Sequence, residues 1–210
     1  MLCKKKTDPI IQKPQKIEGE ELSPMDPPDA FSPPSIDKID YDKMDPFLKE
    51  LVDDHEALVK QLNIFEKTLL SIMDEGITTE IKERIRNFFE FFDNEFIPHN
   101  RKEESQLFPK LKQKFLESGE HSTDDTQTPV DILLADHIEA LQLAAISFNL
   151  FGLITKLKDQ HSKLVILDLA IEQGKALVEL MKVHIFREDN IVFSLAQKLI
   201  SKDEFKHLKG

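Results

Sequence analysis

Two short segments of this chain occur twice, and both copies carry side chains that an apolar core does not accept alone. His99-Asn100-Arg101-Lys102-Glu103-Glu104, leading to Leu107-Phe108, returns 85 residues later as His184-Ile185-Phe186-Arg187-Glu188-Asp189, leading to Val192-Phe193. Asp54-His55 returns 82 residues later as Asp136-His137. In each long segment the histidine precedes the glutamate by four, a step that advances a helix by about 6 Å and returns to nearly the same face. A repeated helix pair, each carrying a histidine and then an HxxxE step, brings two equivalent half-sites to a common axis.

The surrounding pattern is helical. Asp45 is a good N-cap with Pro46 at N1, and the first helix reads to Gly76, a C′ glycine. Its apolar stripe is Leu48, Leu51, Val52, Leu58, Val59, Leu62, Phe65 and Leu69, with His55 inside it. A second helix begins after Thr78-Thr79 and passes Ile85, Phe88, Phe89 and Phe92 before His99 and Glu103. Pro98 and Pro109 predict kinks in it. The third opens at Thr128-Pro129 with Asp131 near N3, and its stripe reads Val130, Leu134, His137, Leu141, Ala144, Phe148 and Phe151. The fourth spans roughly 161–199, with Leu167, Ala170, Leu177, Met181 and Leu195 facing inward beside His184 and Glu188. No convincing strand alternation occurs. Four long helices with short connections predict an all-α, antiparallel up-down-up-down four-helix bundle over residues 43–200. Residues 1–42 read as a disordered, proline-rich tail, since eight of the 11 prolines fall in the first 46 residues. Ser118 to Thr128 reads as a loop, and 201–210 as a short terminal segment with a helix after Ser201.

Each helix thus points at least one metal-ligand side chain at the core: His55, His99, Glu103, His137, His184 and Glu188. A buried unpaired carboxylate costs several kcal/mol, and two facing each other cost more. Cations between them remove that cost. Asp54, Glu56, Glu104, Asp136, Glu139 and Asp189 sit beside the stripes. Most are expected in solvent, with one or two orienting imidazoles and Glu56 as an alternate ligand. His121, His161 and His207 fall outside the pattern. The phenylalanines at 88, 89, 91, 92 and 96 read as core packing.

The net charge of −11 argues against nucleic acid or an anionic membrane as partner. No apolar run suggests a membrane span. The single cysteine, Cys3, excludes an internal disulfide framework and makes a cytoplasmic location the expectation.

The pattern H…HxxxE…H…HxxxE, with Leu107-Phe108-Pro109 after the first carboxylate motif, resembles the hemerythrin/HHE cation-binding family over residues 45–198. The resemblance implies a hemerythrin-like bundle holding two iron ions, oxo- or hydroxo-bridged. It places His55 and His99 on one iron and His137 and His184 on the other, with Glu103 and Glu188 bridging. About five ligands per iron leave a sixth position for dioxygen, nitric oxide or peroxide. Manganese or zinc suits the same donors. Two departures separate the chain from the oxygen-carrying hemerythrins: Leu141 stands where those have a further histidine, and Glu188 follows its histidine by four where those have an aspartate at five. The symmetric motif is closer to the bacterial HHE proteins and the iron-sulfur-cluster repair di-iron proteins. The function expected is binding or sensing of a small diatomic ligand, with the tail free to meet a partner. The alternative is a di-iron enzyme or iron donor in peroxide or nitric oxide defence or cluster repair. Against turnover, no Tyr or Trp is expected near the site: the chain has no Trp, and its one Tyr is Tyr41.

Overall fold

The computed structural model describes residues 39–118 and 128–208. The expected tail falls largely outside them, as does most of the Ser118 to Thr128 loop, including His121. Among the described residues every regular element is helical and no strand occurs.

A 3-10 turn at Tyr41–Lys43 leads into α1 (Pro46–Glu75). The Asp45 side chain caps α1 by accepting from the Phe47 N–H, and Gly76 closes it at a φ of 69°, a conformation glycine adopts without a Cβ penalty. The second helical stretch is continuous from Thr79 to Ser118 but changes pitch twice. α2 (Thr79–Phe91), capped by Thr78, passes through a π-helical segment at Phe92–Phe96 into α3 (Ile97–Lys102). A second π segment at Glu103–Leu107 leads into α4 (Phe108–Ser118). Pro98 and Pro109 each follow one of these segments. The wider turn absorbs the missing N–H and the crowding of the ring against the preceding turn, so the prolines are accommodated within one helical path.

The third stretch is α5 (Pro129–Ile154), opened by a capping box between Thr128 and Asp131. The fourth runs from α6 (Gln160–Arg187) through a π segment at Glu188–Val192 into α7 (Phe193–Leu199). A terminal α8 (Lys202–Leu208) follows. It buries Phe205 against Phe47, and its Glu204 pairs with Lys110 and Lys114 of α4. α5 packs along α6, α1 against both α6 and α2, and α4 against α5 and α7.

The reading of α5 is corrected in one respect. Leu141 and Phe148 are 43% and 55% exposed, while the buried line is Val130, Leu133, His137, Ala140, Ala144, Ser147 and Phe151. α5 is apolar nearly all round, so its sequence supports more than one stripe. Small residues at 140, 144 and 147 let it approach α6, and Ser147 satisfies its buried hydroxyl on the Ala170 carbonyl at 3.1 Å. By length and composition α5 is also the one described helix apolar enough to cross a membrane. Its buried face carries Asp136 and His137, so we read it as a core helix.

Two apolar clusters form the core. One gathers Leu58, Leu62, Phe65, Leu69, Phe88, Phe92, Phe96, Ala140, Leu177 and Met181. The other gathers Leu48, Leu51, Leu107, Phe108, Leu111, Leu133, Val192, Phe193 and Phe205. On every stretch the chain leaves one cluster and enters the other across the same polar step: Leu51–His55–Leu58, Phe96–His99–Glu103–Leu107, Leu133–His137–Ala140 and Met181–His184–Glu188–Val192. A single polar layer therefore lies between two hydrophobic ones.

Candidate metal centre

The structure brings all six expected side chains into that layer and buries them. His55, His99, His137 and His184 are each 5% exposed or less, and Glu103 and Glu188 are 0% exposed. They form two overlapping groups able to hold a metal ion: His55, His99, Glu103 and Glu188, and Glu103, His137, His184 and Glu188. Both groups share the two glutamates.

The carboxylates join the halves in different ways. Glu103 turns Oε1 toward His99 Nε2 at 3.5 Å and Oε2 toward His137 Nε2 at 3.6 Å. Glu188 offers the same oxygen, Oε2, to His55 Nε2 at 3.3 Å and to His184 Nε2 at 3.2 Å. Each glutamate is the first residue of a π-helical segment, Glu103–Leu107 or Glu188–Val192. Pro109 follows the first of these, but no proline follows the second, so the widened turn at Glu188 forms without one. Such turns favour functional sites because they re-aim side chains out of the α register.

Outside the six lies a ring of carboxylates. His55 Nδ1–H donates to Asp189 at 2.8 Å and His99 Nδ1–H to Asp54 at 3.2 Å. His137 Nδ1–H donates to Glu104 at 2.8 Å and His184 Nδ1–H to Asp136 at 3.3 Å. Each acceptor adjoins a layer residue in sequence and serves the next helical stretch: α1 holds the second, the second holds α5, α5 holds α6, and the fourth returns to α1. Four of the six flanking acids thus orient imidazoles, more than the one or two expected, because each lies across a helix interface that local pattern does not reveal. Glu56 and Glu139 are exposed, so Glu56 is not placed as a ligand. Phe193 stacks on His55 and Phe108 on His137, with ring centroids 5.5 and 5.6 Å apart, which fixes two of the rings from the apolar side.

This arrangement poses an electrostatic problem that a cation solves. A carboxylate only accepts, so Nδ1 carries the hydrogen in all four imidazoles and a neutral ring leaves Nε2 bare. Yet His55 and His99 bring Nε2 to within 3.0 Å of one another, and His137 and His184 to within 3.1 Å. Two bare lone pairs at that distance repel. Among the described residues neither oxygen of Glu103 or Glu188 receives a hydrogen bond, although both groups are fully buried. Unpaired buried acceptors of this number cost several kcal/mol. The donor set, four imidazole nitrogens and two carboxylates converging with their lone pairs inward, fits a pair of divalent or trivalent cations.

Without cations, protons take their place. Burial opposes the charge on His55, but the carboxylates of Asp189 and Glu188 outweigh it and raise its pKa to about 10. Burial likewise opposes His184, and Glu188 with Asp136 raises it to about 9. Burial and then neighbouring positive imidazoles push His99 and His137 down. Burial and the facing Glu188 push Glu103 well up, whereas Glu188 is held low by His184 and His55 against its own burial. Protons and cations thus compete for the same buried lone pairs.

Arg187 and Asn100 were not singled out from the sequence. Arg187 donates to Asp136 Oδ2 at 3.0 Å, the same oxygen that receives His184. Asn100 is buried beside His99, and its Oδ1 lacks a partner. His161 and His207 are exposed and away from the layer. A cleft of about 190 Å³ lined by Asp54, Leu58, Phe91, Pro98, His99 and Lys102, among others, reaches one edge of the layer at His99.

The family model described as the hemerythrin HHE cation binding domain matches residues 47–196. No match was found among curated proteins or among solved structures.

Proposed function

The chain belongs to the hemerythrin HHE cation-binding family, and from that premise we propose that His55, His99, Glu103, His137, His184 and Glu188 hold two iron ions inside an up-down-up-down four-helix bundle, and that the protein binds or senses dioxygen or nitric oxide. The observation that carries the reading is the sharing of Glu103 and Glu188 by two histidine pairs, a donor set for two ions rather than one. Mixed imidazole and carboxylate donors suit iron, and also manganese or zinc.

Bound there, an iron pair supplies open coordination positions and redox equivalents to a small ligand. The residues supply the rest. His55 and His99 would hold one ion and His137 and His184 the other, with Glu103 and Glu188 available to both. Asp189, Asp54, Glu104 and Asp136 keep Nδ1 protonated and so keep each Nε2 free to ligate. The apolar clusters above and below exclude bulk water, which protects a bound ligand from competing proton transfer. The cleft at His99 gives a small ligand a way to the edge of the layer. Among the described residues the one tyrosine, Tyr41, is bonded to Asp53 on the surface, and no tryptophan exists in the chain, which favours binding over radical chemistry.

Exposing the anaerobic, iron-loaded protein to dioxygen and to nitric oxide tests this. A reversible absorption change with one of them is expected. Steady-state consumption of peroxide or nitric oxide well above that of free iron would replace the binding reading with an enzymatic one.

A further inference from the structure

Resting on that reading, we infer that Arg187 makes the two halves of the site unequal, so that the His137/His184 half holds its metal ion more weakly than the His55/His99 half. The two halves descend from one repeated pattern, and the repeat offsets pair Lys102 with Arg187 and Glu50 with Ile132. Lys102 Nζ binds Glu50 at 2.6 Å. Ile132 offers Arg187 no such acceptor and is itself exposed, and Arg187 turns instead to Asp136. Two differences between the repeats, Ile132 for Glu50 and Arg187 for Lys102, thus redirect a cation from a bystander carboxylate onto the carboxylate that supports a ligand.

Two consequences point the same way. Asp136 Oδ2 divides its charge between His184 Nδ1–H and the guanidinium, so it polarises His184 less than Asp54 polarises His99. The hydrogen bonds are nearly equal in length, 3.3 and 3.2 Å, so the difference lies in charge rather than in distance. A less polarised imidazole is a poorer donor at Nε2. The surroundings also differ by one charge. Among the described residues no lysine or arginine is bonded to Asp54 or Asp189 around the first half, where Lys102 is engaged by Glu50. Around the second, Asp136 is neutralised by Arg187 and Glu104 alone remains. Less negative surroundings attract a cation less. Arg187 is therefore a positioning and tuning residue, acting on the ion through Asp136 and His184.

Calorimetric titration of the metal-free protein with ferrous ion under anaerobic conditions tests this. His99→Ala leaves the His137/His184 half intact, and His184→Ala leaves the other. Arg187→Gln is expected to tighten ferrous binding about tenfold in the His99→Ala background, the lower end of what an outer carboxylate contributes. It should leave the His184→Ala background unchanged. In the otherwise unaltered protein the same substitution should tighten the second of two binding steps, and Arg187→Lys should restore the original value. If Arg187→Gln leaves that step unchanged, loosens it, or acts equally in both backgrounds, the inference is overturned while the metal pair stands. If the unaltered protein takes up no ferrous ion, the metal pair itself fails and takes this inference with it.

Discussion

His55 on α1 donates its Nδ1–H to Asp189, 134 positions away, at 2.8 Å, and this bond closes the circuit of outer carboxylates. Asp189 follows Glu188 directly, so one short segment supplies both a layer carboxylate and the orienting group of a histidine on another helix. Asp189→Asn keeps an acceptor for the ring and removes the charge. The expected result is a loss of metal affinity of about 10–100-fold with helical content unchanged. Titration followed by circular dichroism checks both parts, and an unchanged affinity would mean that the outer ring is only a scaffold.

Glu103 faces Glu188 without a hydrogen bond to either of its oxygens. Burial, and then Glu188, already push Glu103 toward its neutral form. Glu103→Gln should therefore leave the metal-free protein as stable as before or more so, while removing a carboxylate shared by both groups. Chemical denaturation without metal, set beside metal content after reconstitution, separates the two effects. A large loss of stability in the metal-free protein would show that Glu103 is structural.

In the metal-free state His55 and His184 hold protons with pKa values raised to about 10 and about 9 from an ordinary 6.5. A histidine that binds its proton more tightly when folded contributes stability fully below its unfolded value and loses it as pH climbs through the folded one. Glu103, also raised, acts in the same sense, whereas Glu188, lowered, loses its contribution only on the acid side. The metal-free protein should therefore lose stability steadily from near pH 6.5 to about pH 10. The loaded protein, whose cations replace those protons, should not show that decline. Urea midpoints across this range, with and without chelator, decide it.

At Gly174 on α6 an added Cβ would lie 2.9 Å from Leu69 Cδ1 and 3.3 Å from Phe65 Cζ. Both neighbours are fully buried, and Phe65 is stacked on Phe88 with ring centroids 3.7 Å apart. Gly174→Val should destabilise by about 1–3 kcal/mol through overpacking between α1 and α6. Thermal denaturation reads this directly, and a neutral result would show that the contact between these helices has slack.

The caps at Asp45 and Thr128, and the four-residue steps from His99 to Glu103 and from His184 to Glu188, were legible because they are local chemistry. Polar side chains within apolar stripes marked the layer for the same reason. The face of α5 was not legible: with leucine, isoleucine and phenylalanine on every side, burial is decided by how closely Ala140, Ala144 and Ser147 let α6 approach. The π turn at Glu188 carries no proline to announce it. The circuit from Asp54 to Asp189 depends on which helix is neighbour to which, and the diversion of Arg187 to Asp136 becomes visible only when Ile132 is set against Glu50.

Metal content after anaerobic reconstitution with ferrous ion and removal of loose metal tests the central claim most directly. The account predicts two iron ions per chain, a near-ultraviolet absorption on oxidation, and loss of both features in the His99→Leu/His184→Leu double variant. A chain that retains no iron, or a double variant that retains as much iron as the original, would contradict it.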